Sequence, residues 1–139
     1  MLDRREALHL KKLSILLIIL GLLTGCSEKG TYIKNTTSQD EHSLEEVIMR
    51  NEHVKLAKVL LFEDELLAGI RVNTFSRFKK KTIATDIQKK LEKEYPDLKI
   101  TVSADSKILL ETEKLIRKKD EKDYRKKIDK IKSIEKEQT

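Results

Sequence analysis

Four consecutive residues, Leu23-Thr24-Gly25-Cys26, carry the clearest chemistry in this 139-residue chain. An apolar residue, two small residues and a cysteine make the pattern of a bacterial lipobox. The small side chains let the backbone enter a peptidase site. The Cys26 thiol is the one side chain there that can take a thioether-linked diacylglycerol, and cleavage before it makes Cys26 the mature N-terminus. The preceding residues stand in the right order for such an address. Arg4, Arg5, Lys11 and Lys12 form a positive stretch, diluted by Asp3 and Glu6. Residues 13–23 then run Leu-Ser-Ile-Leu-Leu-Ile-Ile-Leu-Gly-Leu-Leu. A membrane span needs about 20 apolar residues, so this shorter run fits the apolar segment of a signal peptide. Each buried acyl methylene contributes about 0.8 kcal/mol, so two or three chains anchor far better than one. Cys26 is the only cysteine. No internal disulfide can form, and the exported chain carries no free thiol.

Other reactive side chains are sparse. The mature chain has two histidines, His42 and His53, flanking a short helical stretch. Glu41, Glu45 and Glu52 lie near them, but no spacing suits tetrahedral metal ligation. They read as solvated loop histidines, with His53 a residue type able to sense pH. Glu63-Asp64-Glu65 puts three carboxylates in one turn without the alternation of a calcium loop, and reads as a solvated hairpin turn. Ser103 has no histidine base in sequence reach and reads as a turn or cap residue. There is no Gly-rich phosphate loop and no nucleophile elbow. The expectation is a protein that is not an enzyme and needs no cofactor or metal.

Charge is unevenly spread. The chain has a formal charge of +6. Residues 26–116 hold 16 basic and 16 acidic side chains, whereas residues 117–139 hold 10 and 6. The mature excess therefore sits in the tail. Two clusters are candidate contacts for an anionic surface such as lipid or teichoic acid. One is Arg77, Lys79, Lys80 and Lys81. The other is Arg117, Lys118, Lys119, Arg125, Lys126 and Lys127. Tyr124, Ile128, Ile131 and Ile134 continue a narrow apolar stripe through the tail. A solvated helix extension, continuous from near Asp105, competes there with pairing to a partner helix and with surface contact. Export disfavours nucleic acid as a partner.

The length allows one small domain. Residues 1–25 form the signal peptide and 26–42, polar and without period, a flexible tether. Residues 43–116 form the globular domain and 117–139 a charged helical tail. Ser43 and Glu46 have the spacing of a capping box, with Leu44, Val47 and Ile48 on one helical face. Val54–Phe62 reads as a strand, its alternation imperfect because Leu56 and Leu60 oppose Ala57, Val59 and Leu61. Residues 65–73 make a second strand, with Leu66, Ala68, Ile70 and Val72 on one face, and the two form a hairpin. Ile83, Ala84, Ile87, Leu91 and Tyr95 mark a helix over 76–95, stopped by Pro96. Leu98, Ile100 and Val102 give a third strand. Asp105 or Ser106 caps a helix bearing Ile108, Leu109, Leu115 and Ile116. The expected fold class is α+β. It is a small αββαβ module, a three-stranded sheet with helices on one face, followed by a long charged C-terminal helix.

Taken together, the lipobox, Val54-Lys-Leu-Ala-Lys-Val, the acidic turn, Leu67-Ala-Gly-Ile-Arg-Val72, Leu91-Glu-Lys-Glu-Tyr-Pro-Asp97 and Ile100-Thr-Val-Ser-Ala-Asp105 resemble the YhcN/YlaJ family of spore lipoproteins. The resemblance covers roughly residues 10–116. It implies a lipoprotein of endospore-forming bacteria, held at a spore membrane on its extracytoplasmic face, with a role in sporulation, spore assembly or germination. It supplies no catalytic residue, only Cys26 as the lipid site. Two other readings compete. One is an assembly subunit that oligomerises through its sheet edge. The other is a factor binding wall or calcium-dipicolinate components.

Overall fold

The computed structural model describes residues 4–23 and 30–138. Helix α1 (Arg4–Leu23) comes first. The rest runs β1 (Gly30–Asn35), α2 (Glu41–Met49), β2 (Val54–Phe62), β3 (Glu65–Val72), a 3₁₀ turn (Thr74–Lys79), α3 (Lys80–Glu94), β4 (Lys99–Ser103), α4 (Ser106–Arg117) and α5 (Tyr124–Glu137). The strands form one mixed sheet in the order β1-β2-β3-β4. β2 and β3 are antiparallel, while β1 joins β2 and β4 joins β3 in parallel.

Both strands of the hairpin lie where the apolar runs put them. The two-residue turn Glu63-Asp64 closes it, with Glu63 in the left-handed region at φ 52°. The sheet has four strands rather than three. The added one, β1, occupies a segment expected to be a flexible tether. Only Ile33 of β1 packs against the first core, so its apolar signal is faint.

Helices cover both faces of the sheet, not one. Leu44, Val47 and Ile48 of α2 and Ile83, Ala84, Ile87 and Leu91 of α3 pack with Ala57, Val59, Leu61, Leu66, Ala68 and Ile70. Leu60 and Leu67 point the other way, into a second core with Ile108 and Leu115 of α4 and Tyr124, Ile128 and Ile131 of α5. This double coverage explains the imperfect alternation of β2. A strand buried on both faces needs apolar residues on both. Among the described residues, no side chain of α1 belongs to either core.

The tail is not an extension of α4. Lys118 turns to ψ 134° and ends that helix. α5 then packs onto the second face, burying Tyr124, Ile128 and Ile131 almost completely. The Tyr124 ring meets Phe62 edge-on, centroids 5.3 Å apart. Its hydroxyl donates to the Lys118 carbonyl at 2.7 Å.

Capping follows a different residue from the one expected. Asp40, not Ser43, is the N-cap of α2, and its carboxylate accepts from the amides of His42 and Ser43. The Ser43 hydroxyl also donates to Asp40, at 2.7 Å. These bonds, led by the one from Ser43, hold the Asp40 carboxyl below its ordinary pKa. Asp105 caps α4 as expected, accepting from Lys107 and Ile108.

Candidate functional site

Leu23 is the last residue of α1. Thr24, Gly25 and Cys26 lie outside the described residues. Along α1, Leu8, Leu10, Leu13 and Ile15 to Leu20 are about half exposed or more. Among the described residues no helix is long and apolar enough to cross a membrane.

β1 begins at Gly30, four residues after Cys26. Four residues reach at most roughly 14 Å, so the folded domain starts close to the lipobox. Register fixes which end of the sheet that is. Gly30 pairs with Leu56 of β2, and Leu56 pairs with Arg71 of β3. The N-terminal ends of β1 and β2 and the C-terminal ends of β3 and β4 therefore share one end. The 3₁₀ turn follows β3 directly and lies there too.

That turn is built on two side-chain bonds. Asn73 accepts from the Ser76 amide at 2.9 Å. The Ser76 hydroxyl meets His53 Nδ1 at 2.8 Å. His53 is thus half-buried and bonded to the turn rather than solvated in a loop. Turning Ser76 inward leaves its neighbours outside. Phe75 and Phe78 are 97% and 102% exposed. Beside them an open cleft of about 890 Å³ is lined by Lys55, Arg71, Arg77 and Lys80, with Ser106 and Thr74, and by no carboxylate.

The two basic clusters separate in the structure. Among the described residues Arg77, Lys79 and Lys80 form no ion pair, while the Lys81 amine donates to the Gln138 carbonyl at 3.2 Å. In the tail, Arg125 pairs with Glu63 and, at 3.3 Å, with Asp64. Arg117 pairs with Glu113 at 2.6 Å. The backbone carbonyl of Lys118 accepts from the Lys34 amine at 2.8 Å. Lys127 titrates below the ordinary lysine value, first because its side chain hydrogen-bonds with that of Lys118. Lys119 and Lys126 are exposed. The acidic turn is solvated at Glu63 and Asp64, which stay about half exposed, and only Glu65 is buried. Glu63, Asp64 and Glu65 receive Arg125, Lys99 and Lys132 from elsewhere in the fold.

Among the described residues no group of three His, Cys, Asp or Glu side chains could hold a metal ion. His42 is exposed. Ser103 is buried, and its hydroxyl accepts from the Asp105 amide at 3.2 Å, the turn role its sequence position suggests.

Sequence reasoning overlooked Lys55, Arg71, Phe75 and Phe78. One signal was present. Residues 66–85 contain five basic side chains and no acidic one, and two of the three phenylalanines stand within that stretch, where no apolar period buries them. The chain matches no protein-family model, no curated protein and no solved structure.

Proposed function

We propose that this chain is a lipid-anchored, non-enzymatic envelope protein. Residues 1–25 act as a lipoprotein signal peptide, Cys26 carries the lipid, and the α+β domain serves as an interaction module at the extracytoplasmic face. The observation that carries this reading is the lipobox Leu23-Thr24-Gly25-Cys26 after a basic stretch and an apolar run of signal-peptide length. The start of β1 four residues after Cys26 supports an anchor that holds the domain against the membrane rather than on a long leash. The resemblance to YhcN/YlaJ spore lipoproteins extends the proposal to the spore membrane, with a role in sporulation, membrane or coat assembly, or germination.

Labelling with radioactive palmitate tests the anchor. Wild-type protein is expected to incorporate label, and Cys26→Ala to incorporate none. Label persisting in Cys26→Ala overturns the assignment. Forespore-specific expression is the expected result for the spore role, and purely vegetative expression overturns it.

A further inference from the structure

Phe75 and Phe78 present two whole rings to solvent on a turn whose Ser76 is buried. Exposed apolar groups rimmed by polar ones mark a contact surface. Three observations choose the occupant. The first is charge. Arg77 and Lys79 share the turn with the rings and Lys80 follows it, Lys55, Arg71, Arg77 and Lys80 line one cleft that holds no carboxylate, and residues 66–85 are free of acid. The second is pairing. Among the described residues none of Arg71, Arg77, Lys79 and Lys80 is held by an ion pair, unlike Arg117 and Arg125 of the tail. The third is position. Arg71 is level with Gly30 across two strand spacings, about 10 Å, and Gly30 is four residues from Cys26.

We propose that this end of the sheet is a second membrane contact, in which Phe75 and Phe78 enter the headgroup region of an anionic bilayer. Arg71, Arg77, Lys79 and Lys80 meet the lipid phosphates around them. Apolar rings framed by cations suit the boundary between headgroups and acyl chains. Attraction to anionic lipid fades beyond about 8 Å at physiological salt, so an anchor that holds the domain close strengthens the contact. A second copy of the chain is a poor occupant, because two such patches would set cation against cation. The inference rests on the proposed anchor for that closeness. It makes the module oriented rather than freely tumbling, with the Glu63-Asp64 turn directed away from the membrane.

The chain has no tryptophan, so Phe78→Trp is a silent-background probe at an exposed site. Full-length Phe78→Trp is mixed with vesicles of phosphatidylglycerol and phosphatidylcholine, a fraction with brominated acyl chains. Flotation of the same sample reports whether the chain is bound. The expected result is a blue shift and bromine quenching on anionic vesicles. Adding Arg71→Gln, Arg77→Gln and Lys80→Gln is expected to reduce quenching about tenfold. Circular dichroism checks that these substitutions leave the fold intact. A chain that floats while its tryptophan stays in water overturns this contact and leaves the anchor standing. Quenching in a chain that takes no palmitate overturns the anchor and leaves the contact standing. A chain that does not float overturns the contact. Equal quenching on pure phosphatidylcholine overturns the role of the cations. A blue shift without vesicles that grows with protein concentration assigns the patch to a second copy and overturns the proposal.

Discussion

The amine of Lys132 stands 3.1 and 3.2 Å from the two carboxylate oxygens of Glu65, joining positions 67 residues apart. Glu65 opens β3 and is 4% exposed. Lys132 is half-buried on α5, one residue after Ile131. The tail helix is thus keyed to the sheet by charge as well as by Tyr124, Ile128 and Ile131. Removing one partner of a buried pair leaves the other charged and desolvated. Lys132→Met is therefore expected to destabilise the fold by about 1–3 kcal/mol, less than for a fully enclosed pair because the lysine keeps some contact with water. Adding Glu65→Leu to it should recover much of the loss, since matched apolar replacements of ion pairs are often neutral. Urea unfolding of the two single variants and the double variant measures this. Equal stability of Lys132→Met and wild type would mean the tail is not held by this pair.

How far the chain could be read without its structure depended on how loudly each segment spoke. β2 and β3 were plain because both are long, apolar and joined by a short acidic turn. β1 was hidden. Tyr32, Lys34 and Asn35 are polar or amphipathic, and an edge strand needs few apolar side chains when one face is half open. Tyr32 instead carries the Lys58 amine over its ring at 3.6 Å. The break between α4 and α5 was legible but missed. Leu115 and Tyr124 are nine residues apart, and at 3.6 residues per turn a continuous helix would set them on opposite sides. Both are buried in one core, so the helix must stop between them. The repeated pattern says the same. Ile108, Thr112 and Leu115 are the buried residues of α4, and Tyr124, Ile128 and Ile131 those of α5, each set following an i, i+4, i+7 stripe. The exposed phenylalanines were missed because position alone does not say whether a ring is buried. Only the inward turn of Ser76 decides it.

At Gly69 the backbone of α4 lies directly against the sheet. A Cβ built there would lie 2.7 Å from the Leu109 Cα and 3.2 Å from its amide nitrogen. Backbone, unlike the end of a flexible side chain, cannot give way cheaply. Gly69→Ala must push α4 off β3, and overpacking of this kind costs about 1–3 kcal/mol. The substitution is expected to lower the Tm and to open the second core, where Leu60, Leu67, Ile108 and Leu115 meet. Binding of a hydrophobic dye should rise with it. An unchanged Tm would show that α4 can shift freely, and would undercut the close contact that fixes its N-terminus beside the cleft.

Asp40 gives the fold a dependence on acid. Its carboxyl lies below the ordinary value of 3.8, chiefly through the Ser43 hydroxyl and then the His42 amide. A carboxyl depressed in the folded state stabilises that state above its unfolded pKa, and the contribution is lost as pH falls through the folded value. The start of α2 is therefore expected to be protected from amide exchange at neutral pH, and to fray as pH falls below about 4. Asp40→Asn should keep most of the cap, because asparagine is also a strong N-cap, yet remove this acid dependence. Asp40→Ala should expose the His42 and Ser43 amides at every pH. Exchange measured at those two amides across pH 2–6 separates the three proteins. A profile for Asp40→Asn that falls with acid as steeply as the wild type would place the titrating group elsewhere.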